Sequence, residues 1–260
     1  MSMHEWAGRS LGQRTVGYSE GDAILYALAV GASPERLDLV FEDHLRVLPT
    51  FALTLAQWAP DVLAAEGVYG ARPVHGAQSF TSLAPLPRAG EIVMSARVAD
   101  VWDKATAAVF EIVVESDYFA ATWSIFAPGV GDFRGDRGPA RAARNPESAG
   151  QELALQTAAN QAALYRLTGD RHHIHVDPTA SRMIGQPRPI MHGLCTLVAA
   201  TLPLADQAGA HPADLTFLHG RFSGPVVPGD RLAIRSWDDG LFDVARNAEP
   251  VIVEGKVNFS

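Results

Sequence analysis

Two stretches of this chain are apolar almost all round at helical spacing, and they recur in matching surroundings. The first, VLPTFALTLAQW at 47–58, continues to Glu66 and stops at Gly67; the second, PIMHGLCTLVAA at 189–200, ends near Pro203. A helix with no polar face has to be buried. Pro49 suits a first helical turn and Gly67 a stop. Partly alternating, β-branched segments follow each run, at 91–100 and 106–116 after the first and at 231–237 and 250–259 after the second. Turns precede these strands at 85–90 and 225–229. The helix starts, Pro49 and His192, lie 143 positions apart, and the turn glycines, Gly90 and Gly229, lie 139 apart. Nearly equal offsets indicate an internal duplication. The simplest architecture is α+β: a buried helix wrapped by an antiparallel sheet, built twice.

Between the repeats lies APGVGDFRGDRGPARAARNPESAG at 127–150, with five Gly, three Pro and four Arg. It reads as an exposed linker, so the expected units are 1–126, a linker 127–150, and 151–260. The RGD at 134–136 is linker chemistry on this reading. An apolar fraction of 47% with 19% charged residues calls for a packed core. A net charge of −8 argues against a nucleic-acid binder. One cysteine, Cys195, excludes an intrachain disulfide. No secretory signal, membrane-length apolar run or C-terminal Ser-Lys-Leu is visible, and a cytoplasmic protein without a membrane partner is expected. Exposed sheet edges make a homodimer plausible.

The densest reactive segment is YRLTGDRHHIHVDP at 165–178, with three of the nine histidines and two aspartates. A helical approach over 153–167 should break at Gly169. Asp170 and His175 then fall on a turn, which can aim both side chains at one point. Three readings compete. The segment can be a polar loop with incidental histidines. His173-x-His175-x-Asp177 can be a metal box, although Pro178 stands where such a box continues with His. Or Asp170 and His175 can be an acid–base pair gripping one water.

This segment resembles the signature of the (R)-specific enoyl-CoA hydratases, hydratase 2, of the MaoC-like group. Tyr165, Leu167, Thr168, Gly169, Asp170, Ile174 and His175 fit it. The resemblance continues in PIMHGLCTL at 189–197. It reaches the first half through YALAVGA at 26–32, VLPTF at 47–51, VHG at 74–76, and PLPRAGEI with ADVWDK within 85–104. His172 and His173 depart from it, standing where the family has Asn-Pro. The resemblance implies two fused hot-dog halves and hydration of a trans-2-enoyl-CoA to a (3R)-3-hydroxyacyl-CoA, with no cofactor and no metal. It makes Asp170 and His175 catalytic and Gly193 the oxyanion-hole amide. It places His75, Gly76, Lys104, Arg171, His172 and Phe222 against the acyl-CoA.

The chemistry suits these residue types. Hydration needs a nucleophilic water, a stabilised thioester oxygen and a proton for the neighbouring carbon. Imidazole exchanges protons near neutral pH, a carboxylate accepts hydrogen bonds from water, and a glycine amide at a helix start offers a free donor. His192 reads as a packed, helix-start histidine. The first half has Pro49-Thr50-Phe51 where the second has His192-Gly193-Leu194, and it has no Gly-Asp…His loop. It is expected to shelter the acyl tail. The alternatives are the reverse reaction, a (3R)-hydroxyacyl-thioester dehydratase; a hot-dog thioesterase; and an inactive acyl-CoA-binding protein.

Overall fold

The computed structural model describes residues 3–140 and 150–260, so part of the expected linker, 141–149, lies outside the described residues. The first half contributes β1 (Ser10–Tyr18), β2 (Val74–Ser82), β3 (Gly90–Asp103), β4 (Ala107–Glu115) and β5 (Phe119–Pro128). The second contributes β6 (Gln151–Gln156), β7 (Leu215–Phe222), β8 (Arg231–Ser236), β9 (Leu241–Arg246) and β10 (Glu249–Phe259). They form one ten-stranded sheet in the order β1-β3-β4-β5-β2-β7-β10-β9-β8-β6. Adding five to each strand number of the first half reproduces the order of the second, read from its own edge. The duplication visible in the sequence is therefore a duplication of topology. Each half is a hot-dog, a sheet around a helix, and the chain is a double hot-dog.

Alternation puts one face of each strand inside. In β4, Ala108, Phe110, Ile112 and Val114 are buried; in β5, Phe119, Ala121, Trp123, Ile125 and Ala127 are buried. The halves join along β2 and β7, paired antiparallel from Ala77↔Arg221 to Thr81↔Phe217. The Ser79 hydroxyl and His219 Nδ1, 2.8 Å apart, pin that seam.

The second buried helix runs Gly193–Ala208, past the stop expected near Pro203. Pro203 removes one amide donor inside it. The buried face of Leu194, Leu197, Val198, Thr201, Leu204 and Ala205 carries the helix on, until Gly209 ends it in the left-handed region at φ 64°. The first buried helix is not continuous. It consists of a short 3₁₀ turn Pro49–Phe51, a turn Ala52–Leu55 and a helix Trp58–Ala65. Pro60 explains the interruption. A proline fits only the first turn of a helix, and the restart at Trp58 puts Pro60 there.

Two further expectations change. Residues 151–156 form β6 rather than a helical approach, because Glu-Leu-Ala-Leu-Gln alternates with period two; the helix before the reactive loop is only Gln161–Tyr165. The first two residues of the expected linker, Ala127 and Pro128, end β5, and its described remainder, 129–140, is partly exposed and anchored. The Asp103 carboxylate accepts from the amides of Asp132 and Gly135, and the Asp103 amide donates to the Asp136 carbonyl at 2.7 Å.

Candidate active site

The reactive loop begins where Gly169 lies so close to the first half that a side chain there would sit 3.1 Å from the Thr54 carbonyl oxygen. The loop turns on itself at Asp170, whose Oδ1 accepts from the His172 amide at 3.0 Å. A 3₁₀ turn, His173–His175, then carries His175 inside. Asp170 Oδ2 and His175 Nε2 stand 4.0 Å apart. A water about 2.8 Å from each would see them at roughly a right angle, within the range a single water serves.

The tautomer follows from the partners. His175 Nδ1 lies 2.8 Å from the Ile190 carbonyl oxygen. A carbonyl only accepts, so Nδ1 carries the proton and Nε2 presents a lone pair toward Asp170. Burial lowers the His175 pKa, against the pull of the Ile190 carbonyl and Asp170. The ring is therefore a neutral base at pH 7.

His192 is packed at the start of the buried helix, as expected, and it also touches both members of the pair. Its ring stacks on His175 with centroids 3.5 Å apart and planes 23° apart. Its Nε2–H donates to the Asp170 carbonyl at 3.1 Å, and the buried Tyr165 ring lies 4.8 Å from it on centroids. One side chain thus braces both members of the pair. Burial, and then His175 beside it, push its pKa down to about 3. A polar residue just before the buried helix was the only sequence signal for this role.

Among the described residues, Asp170, His175 and His192 form the one cluster with metal-ligand spacing, their ligating atoms within 4.8 Å of one another. The His173-His175-Asp177 box does not assemble there, and Asp177 instead caps the helix Pro178–Met183 by accepting from the Thr179 amide.

Gly193 starts the buried helix and is exposed. A Cβ on it would meet Phe222 Cδ1 at 2.9 Å, so the close approach requires glycine. Phe222 packs against His75, their rings 4.8 Å apart. Gly76 sits at a bulge in β2, between the pairs His75↔Ile125 and Ala77↔Ser124. The bulge turns His75 toward Phe222, and its Nε2–H donates back to the Ala77 carbonyl at 3.0 Å. Burial lowers the His75 pKa to about 4. Arg171 and His172 are exposed on the loop. Lys104 is placed differently, at the β3–β4 turn, where its ammonium donates to the Arg137 carbonyl of the linker.

The interruption in the first buried helix opens a cavity of about 580 Å³. Its wall runs from Gly169 and Thr168 of the loop across Thr54, Phe51 and Leu55 to Trp58. It therefore opens beside the reactive loop, at Leu167, Thr168 and Gly169, and extends into the first half.

Residues 142–257 match the model of the MaoC-like domain, and residues 17–127 match that of the MFE-2 hydratase 2 N-terminal domain. An enoyl-CoA hydratase, ChsH3, of Mycobacterium tuberculosis is 34% identical over 251 residues, covering 90% of this chain and 88% of that protein. The chain belongs to the MaoC-like hydratase 2 family. A second relative from the same organism, 3-hydroxyacyl-thioester dehydratase Y, is 34% identical over 241 residues, covering 85% of this chain and 82% of its own length. Among solved structures, a MaoC-like dehydratase from Phytophthora capsici superposes with a TM-score of 0.88 at 23% identity, covering 99% of this chain and 97% of that one, and supports the fold. Among the described residues of this hydratase 2 relative, no helix is long and apolar enough to cross a membrane.

Proposed function

We propose that this protein adds water across the double bond of a trans-2-enoyl-CoA to give the (3R)-3-hydroxyacyl-CoA. The observation that carries the reading is the pair itself: a carboxylate oxygen and an unprotonated imidazole nitrogen 4.0 Å apart, beside the free start of a buried helix. Asp170 and His175 hold the water. His175 Nε2 accepts a proton as the oxygen attacks the β-carbon, and the pair returns one proton to the α-carbon, so the net addition is one water. The Gly193 amide faces the thioester oxygen as negative charge builds on it. His75, Gly76 and Phe222 line the approach for the thioester arm, while Arg171 and His172 offer polar contacts to CoA further out; Lys104, expected to join them, donates to the Arg137 carbonyl of the linker instead. The acyl tail enters the first-half cavity past Gly169, which divides the labour between a catalytic half at 151–260 and a sheltering half at 1–126. No cofactor is required, since CoA is part of the substrate.

The reverse reaction, dehydration of a (3R)-hydroxyacyl thioester, uses the same atoms; the relative named as a thioester dehydratase favours keeping it as the second reading. Incubation with crotonyl-CoA tests the reaction class. Loss of the enone absorbance with CoA still esterified is expected. Release of free thiol would instead mark a thioesterase, and neither change would mark an acyl-CoA-binding protein.

A further inference from the structure

The first-half cavity carries polar groups that a plain hydrocarbon tail cannot use. Beyond the apolar Phe51 and Leu55, its wall presents Arg14, Asp22, Gln57 and Asp61. They come from different elements: Arg14 from β1, Gln57 and Asp61 from the restarted helix and its cap, Asp22 from the helix Glu20–Ala29. Gln57 Nε2 donates to Asp61 Oδ1 at 3.1 Å. Among the described residues this is the hydrogen bond made by the Asp61 side chain, and Oδ2 is left for an occupant. The Arg14 guanidinium lies 5.0 Å from the centroid of the Trp58 ring and is close enough to Asp61 to act on its charge. A saturated tail laid along this wall would strip water from a carboxylate and a guanidinium and return no hydrogen bond. A hydroxyl both donates and accepts. It can give its proton to Asp61 and receive from Arg14 or Gln57. A terminal carboxylate would gain Arg14 but face Asp61 and Asp22 together.

We propose that Asp61 selects acyl chains bearing a hydroxyl group beyond the reacting double bond, with Arg14 and Gln57 completing its recognition. The inference rests on the reading of this cavity as the acyl site. Geometry carries it: Asp61 is exposed on the cavity wall, hydrogen-bonded by Gln57 and with Arg14 near enough to act on its charge.

The test is calorimetric binding of three saturated esters: octanoyl-CoA, ω-hydroxyoctanoyl-CoA and the mono-CoA ester of the eight-carbon dicarboxylic acid. The hydroxylated ester should bind at least about tenfold more tightly than octanoyl-CoA, the size of one well-made hydrogen bond to a charged group. The dicarboxylic ester should bind most weakly. The preference is read within each variant, so a general loss cancels. It should vanish in Asp61→Leu and narrow in Asp61→Asn, which folds more safely and still offers an amide oxygen. Equal binding of octanoyl-CoA and the hydroxylated ester by the natural protein would overturn the inference. So would an undiminished preference in Asp61→Leu or in Asp61→Asn, or tightest binding of the dicarboxylic ester. These measurements need no turnover, so failure of crotonyl-CoA hydration would remove the reaction and leave this result to stand by itself. Failure of all three esters to bind would remove the acyl site and this inference with it.

Discussion

Lowering the pH from 7 to 5 should destabilise this fold by several kcal/mol, and the buried imidazoles are the reason. In the unfolded chain His192 and His75 take up protons near pH 6.5. In the folded protein burial holds them down to about 3 for His192, with His175 adding to the effect, and to about 4 for His75. Between those values the unfolded state binds more protons, so unfolding gains as the pH falls. Integrated from pH 7 to 5, one imidazole that stays neutral when folded costs about 2 kcal/mol. His192, 2% exposed, should contribute that much, and the more accessible His75 up to that much. Burial lowers the pKa of His175 and His219 as well, in the same sense, while the burial-raised carboxyls of Asp61 and Glu111 offset part of the loss. Urea denaturation at the two pH values measures the sum. His192→Gln keeps an amide donor for the Asp170 carbonyl but no longer titrates, so its stability should fall by about 2 kcal/mol less across the same interval. A midpoint that is flat or rises on acidification, or a His192→Gln slope equal to that of the natural protein, would refute the assignment of neutral, buried rings.

Two further outcomes follow from packing. Gly193→Ala places a methyl carbon 2.9 Å from Phe222, so the ring must move against His75 or the Gly193 amide, proposed to face the thioester oxygen, must shift; kcat should fall about 100-fold or more while far-ultraviolet circular dichroism is retained. Leu55→Trp, on the cavity wall, should lower kcat/KM for long-chain enoyl-CoA at least about tenfold more than for crotonyl-CoA; equal losses for both would contradict the placement of the acyl tail in the first half.

Much of the fold was legible because burial leaves a periodic mark. The two apolar helices and the strands β3, β4, β8 and β10 announced themselves by their residues, and the nearly equal spacing of Pro49 with His192 and of Gly90 with Gly229 exposed the duplication. What escaped depended on contacts between distant segments. Gln-Glu-Leu-Ala-Leu-Gln at 151–156 alternates over only six residues, and its pairing with β8 is what separates it from the helix that follows. The apolar pattern ran through Pro60 to Glu66 and hid the break ahead of Trp58, and the cavity that break opens needs β1 as its far wall. The reactive loop was found by its density of His and Asp. The roles of its neighbours were not: His192 matters because it stacks on His175, and Asp61 because it faces a cavity. Lys104 carried the right charge, yet its ammonium is engaged by the linker, whose anchoring on Asp103 no composition could reveal.

The central claim is that one water is held between Asp170 Oδ2 and His175 Nε2. The most direct measurement is the steady-state rate of enone loss from crotonyl-CoA by Asp170→Asn and His175→Ala, with Tm confirming that each variant folds. The account predicts that either substitution lowers kcat by at least about 100-fold. Turnover at the natural rate in either one would contradict it.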